Sequence, residues 1–101
     1  MVIVLIRRSV RPEKEAAFLA AYNREKPDHA DFVSETLTKV SNSNELPESM
    51  RSLPIGGDGV TYVNVATWKS AKSFEEHFKP RTMHDPEIEC GDRVRVVLEV
   101  C

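Results

Sequence analysis

His77 stands nine residues after Trp68, the single tryptophan of the chain, and between Phe74 and Phe78 at helical spacing. An imidazole titrates near neutrality and can accept or return a proton, while flanking rings can hold a flat molecule against it. Upstream, residues 60–68 (VTYVNVATW) alternate in polarity and place Tyr62, Asn64 and Trp68 on one strand face. A buried carboxamide has to be hydrogen-bonded, so Asn64 either lines a pocket or bonds to a loop. These residues would place an imidazole, His77, and the rings of Trp68 and Phe74 beside one pocket, with Tyr62 and Asn64 lining it if their strand face turns toward the helices. Each also has a plainer reading: His77 as a structural ring between Phe74 and Phe78, and Trp68 as a core or interface aromatic.

The elements that must position this set follow from patterning. Residues 2–10 are rich in β-branched side chains and apolar on both alternating faces, which predicts a strand covered on both sides. Pro12 opens a helix with Glu13 and Glu15 at its positive end; its apolar stripe is Ala16, Phe18, Leu19, Ala21 and Tyr22, and it stops before Pro27. Residues 32–40 predict a second strand, with Phe32, Ser34, Thr36 and Thr38 on one face and Val33, Glu35, Leu37 and Lys39 on the other. Residues 41–59 form a long loop with a short helical turn at 47–51. After the third strand at 60–68, Ser70 caps a second helix that ends near Pro80. Residues 79–91 are irregular, with His84 in an HDP turn, and 93–100 form a last strand with Val94, Val96, Leu98 and Val100 on one face.

Composition narrows the function classes. The 101 residues fit one domain spanning 1–101, and 41% hydrophobic with 30% charged residues is ordinary for a globular protein. A net charge of -2 with interleaved Lys and Arg argues against a nucleic-acid surface. No run approaches the roughly 20 apolar residues of a membrane span, and the N-terminal apolar run precedes its arginines, unlike a signal peptide. A cytoplasmic location is the expectation. Cys90 and Cys101 lack metal-ligand spacing, so a zinc site is not expected and both read as thiols. Arg7, Arg8, Arg93 and Arg95 need not cluster and read as rim residues paired with acids such as Glu35 and Glu99. GGDG at 56–59 lacks the lysine of a phosphate loop, and Ser34 and Thr36 lack a partner Asp-His pair.

The order β-α-β, long loop, β-α-β predicts an α+β fold of ferredoxin-like βαββαβ type, with two helices on one face of a four-stranded antiparallel sheet. The helices cover only one of two apolar sheet faces. A second copy packing sheet to sheet covers the other, so a homodimer is expected.

Three blocks, VRPEKEAAFLAAY, FVSETLTKV and YVNVATWKSAKSFEEHF, resemble the antibiotic biosynthesis monooxygenase family across nearly the whole chain outside residues 41–59. The W-x-S-x-x-x-F-x-x-H pattern from Trp68 to His77 carries most of the likeness. The resemblance implies the dimeric α+β barrel and, from the cofactor-independent oxygenases of the family, action on a small aromatic, quinol or polyketide-type substrate without metal or flavin. It implies His77 as the base or orienting group that removes a phenolic proton, an Asn amide or an Arg that stabilises the developing anion, and Asn64, Tyr62, Trp68 and Phe74 as the residues that bind and position the substrate. It also admits a non-catalytic ligand-binding or stress-response module. The haem-degrading branch carries an Asn on the first strand and a Trp on the second helix; here those positions hold Arg7 or Arg8 and His77, which argues against haem cleavage.

Overall fold

The β-branched segment Val2–Val10 forms β1, the spine of a four-stranded sheet in the computed structural model, which describes residues 1–24, 28–41, 47, 59–78 and 85–101. A 3-10 turn at Pro12–Lys14 leads into α1 (Glu15–Arg24), followed by β2 (Phe32–Lys39), β3 (Val60–Trp68), α2 (Ala71–Phe78) and β4 (Val94–Glu99). The strand order is β2-β3-β1-β4 and every neighbouring pair is antiparallel. This is an α+β architecture compatible with the ferredoxin-like arrangement. The expected helix stops near Pro27 and Pro80, the turn at 47–51, the HDP turn at His84 and nearly all of loop 41–59 lie outside the described residues.

Register fixes which side chains share a face. Val2, Val4, Ile6, Arg8 and Val10 of β1 stand opposite Trp68, Ala66, Asn64, Tyr62 and Val60 of β3. This helix-side face holds both core clusters. Val2, Val4, Ile6, Ala66 and Trp68 pack with Phe74 of α2, and Val10 and Tyr62 pack with Phe18 of α1. The other face carries Leu5, Val63 and Val65 of the central strands, with Val94, Val96 and Leu98 on the edge strand 41–47% exposed.

Two expected patterns shift. β2 contains an irregularity between Phe32 and Ser34, so Phe32 pairs with Trp68 while Ser34 pairs with Thr67. The extra residue, Val33, turns Phe32 to the face of Glu35, Leu37 and Lys39, rather than that of Ser34, Thr36 and Thr38. In α1, Phe18 is buried and Ala21 and Tyr22 are half-buried, but Ala16 is exposed and Leu19 is 38% exposed. The sheet-facing stripe runs through Glu15, Phe18 and Tyr22 because Glu15 finds polar partners on the sheet. Glycine is required at position 59, where φ is 71° and a Cβ would lie 2.6 Å from the Val10 carbonyl oxygen.

Candidate functional site

Position 77 is set by a chain of local bonds. The Ser70 hydroxyl accepts the Ser73 backbone N–H at 3.1 Å, capping α2 as its spacing predicts. The Ser73 hydroxyl donates to the Asp31 carboxylate, and the Lys69 N–H donates to the Asp31 carbonyl at 2.9 Å. The start of α2 is thereby tied to the turn before β2. His77 falls on the last turn of α2, half-buried, with its ring 5.4 Å from Trp68, 4.8 Å from Phe78 and 6.2 Å from His29. His29 accepts the Asp31 N–H at Nδ1, so its neutral ring carries the proton on Nε2. Trp68 is fully enclosed by Phe32, Phe74, Phe78 and the two imidazoles, and its Nε1–H has no acceptor among the described residues. Trp68 and Phe74 are thus core members with a titratable ring at their rim.

Asn64 lies four residues back on the same face of β3, roughly 13 Å along the strand from Trp68. It is 5% exposed and bonds to neither a loop nor open space. The Tyr22 hydroxyl donates to its Oδ1 at 3.0 Å, and its Nδ2 donates to Glu35 at 3.2 Å. Burial, followed by the nearby Glu35 carboxylate, pushes the Tyr22 phenol up to about 12. At neutral pH it is therefore a hydrogen-bond donor and not a base. Tyr62, one step further along, belongs to the other core cluster; its hydroxyl donates to Glu15 at 2.8 Å, and Lys39 pairs with the same carboxylate oxygen. Burial first, and then the bond to Glu15, raise the Tyr62 phenol. The expected site residues therefore share one face but form two groups, Trp68/Phe74/His77 under α2 and Tyr62/Asn64 under α1.

Sequence reasoning passed over a third group. β1 and β4 are neighbours, and Arg8 and Arg93 both clamp Glu89 through their Nε and Nη2 atoms at 2.7–3.1 Å. For Arg8 and Arg93, the partner is Glu89 rather than the expected acids such as Glu35 and Glu99. Glu89 is held there by a bridge to Val10 and by flanking backbone bonds, Arg11 N–H to Ile88 O and Cys90 N–H to Ser9 O, each 2.9 Å. Its carboxylate is 3% exposed. Burial alone would raise its pKa, but the two guanidiniums outweigh it and hold the group near about 2. The one local signal was the four-residue spacing of Glu89 and Arg93, which suggests a helical pair. Gly91, at φ 78°, interrupts any helix there.

No protein-family model matches this chain, and no curated protein matches its sequence. Among the described residues, no helix is long and apolar enough to cross a membrane, and no group of three His, Cys, Asp or Glu side chains could hold a metal ion. What the arrangement offers chemically is a half-buried imidazole at one end of the helix-side face. At the other end are a donor phenol, an oriented amide and a cluster of guanidiniums.

Proposed function

We propose that the protein is a small cofactor-independent oxygenase that acts on an aromatic substrate of quinol or polyketide type. The observation that carries this reading is the buried Asn64 amide bonded to the Tyr22 phenol, on the same strand face as Trp68, against which the His77 ring of α2 packs. A phenol held protonated and an amide held in place are suited to stabilising an enolate or phenolate oxygen. For an anthrone-type substrate, His77 takes a proton from the ring methylene and the resulting anion reduces dioxygen. One oxygen atom becomes the new ring carbonyl and the other leaves as water, so the carbon gives up the four electrons that dioxygen accepts.

Oxygen uptake by the pure protein with anthrones and hydroquinones tests this. The wild type should exceed buffer, and His77→Ala and Asn64→Leu should each lower the rate by roughly 10²-fold. Silence across the panel would sink the catalytic reading. A non-catalytic ligand-binding module is the second reading, favoured because both polar ends of Asn64 already have protein partners. Saturable binding of the same compounds without oxygen uptake would select it.

The dimeric α+β barrel belongs to the same proposal. Thr36, Val65, Leu5 and Val96 form one row across the open sheet face, and Ser34, Thr67, Ile3 and Leu98 form the next. Two copies pressed together through these rows would remove Val94, Val96 and Leu98 from water. Light scattering at micromolar concentration should give about twice 11.4 kDa, and Val96→Asp should return the mass to that of one chain. A wild type that scatters as a single chain would defeat the dimer.

A further inference from the structure

We propose that the Nε/Nη2 edge of Arg95 binds the carboxylate of a small ligand, on the helix side of β4. Arg8, Arg93 and Arg95 share this face, because Arg8 sits two residues beyond Ile6 on β1 and Arg95 is the β4 partner of Ile6. Arg8 and Arg93 each offer Nε and Nη2 side-on to the two oxygens of Glu89. The same edge of Arg95 is buried, and neither of its two nitrogens has an acceptor among the described residues. Two guanidiniums share one carboxylate and Arg95 stands on the same face without one, so among the described residues the three carry more positive charge than Glu89 balances.

The geometry selects the chemical class. A side-on guanidinium edge matches a planar two-oxygen acceptor, and Glu89 exhibits that mode twice within the same cluster. Burial disfavours the charged form of Arg95, followed by repulsion from Arg93 and Arg8, and an anionic guest relieves both. A second copy covering the open sheet face does not supply this acceptor, since Arg95 points to the helix side. Arg95 stands on an edge strand and is half-buried as a whole although its Nε and Nη2 are enclosed, and Val97, two residues further on the same face, is 42% exposed. Leu37, Asn64, Ile6 and Arg95 form one row across the sheet, with Arg95 at its outer end. The proposal concerns binding alone and does not rest on the oxygenase reading.

Titration of the full chain with sodium benzoate tests it, with benzamide as the neutral isostere and sodium chloride at equal ionic strength as control. Arginine Nε–H resonances and the melting temperature are the readouts. Benzoate should shift the Arg95 Nε–H resonance saturably and raise the melting temperature, while benzamide and chloride should do neither. Arg95→Met should weaken benzoate binding by about tenfold or more, and Arg11→Met, outside the cluster, should leave it within about twofold. Equal responses to benzoate and benzamide, an unmoved Arg95 resonance, or full binding by Arg95→Met would overturn the proposal. If Arg95→Met does not fold, the resonance in the unaltered chain decides. Benzoate binding needs no oxygen, so this result and the uptake assay can fail independently.

Discussion

Replacing Glu89 by Gln should destabilise the protein by about 3–5 kcal/mol, the loss expected when one member of a buried, hydrogen-bonded charge group is neutralised. The Arg8 and Arg93 side chains are only 19% and 15% exposed and would face one another without their shared carboxylate. In a domain of this size the melting temperature should fall on the order of 15 °C. The pH dependence has a definite sign. The folded-state pKa of Glu89, near about 2, lies below its ordinary value of 4.5, so its contribution is complete above about pH 4.5 and disappears as the pH falls toward 2. That difference corresponds to roughly 3 kcal/mol. Melting curves from pH 7 down to 2 should show a steep acid loss in the wild type and a flatter one in Glu89→Gln. Superimposable pH profiles would mean that Glu89 is not the acid-labile clamp.

Trp68→Ala should cost a further large amount, about 3–5 kcal/mol, by the usual penalty for emptying a fully buried aromatic site. Trp68 has no exposed surface and joins β3 to Phe32 of β2 and to Phe74, His77 and Phe78 of α2. Its removal therefore loosens the sheet and frees the helix that carries His77. Trp68→Phe should lose less, because one ring remains and a buried N–H without an acceptor among the described residues is removed. Urea unfolding followed by circular dichroism measures both. Equal losses for Ala and Phe would show that the second ring is indispensable, and a negligible loss for Ala would contradict the enclosed position.

Much of this arrangement was legible in the sequence because it is local. Density of β-branched residues identified β1, alternation identified β3, and Ser70 announced the cap of α2 through the bond it makes three residues on. Helical spacing brought Phe74, His77 and Phe78 together, and the single Trp at the end of β3 met them. One extra residue in β2 was invisible to a period-two reading, and it reversed the face of Phe32. The α1 stripe was misplaced for a different reason: Glu15 faces the sheet because Tyr62 and Lys39 satisfy it, and both are distant in sequence.

The functional chemistry divides in the same way. The residue pattern by itself determined that Tyr62, Asn64 and Trp68 would share one strand face and that Phe74, His77 and Phe78 would meet on a helix, since strand and helix periodicities act over a few residues. That the two sets stand on one side of the sheet was decided by the fold. Only the tertiary structure decided that Asn64 is bonded by Tyr22 and Glu35, 42 and 29 residues away, and that Glu89 joins Arg8 across 81 residues. Those partnerships depend on which strands become neighbours and in what register. Placing β4 beside β1 gathered Arg8, Arg93 and Arg95 around one buried carboxylate and left the edge of Arg95 without an acceptor among the described residues.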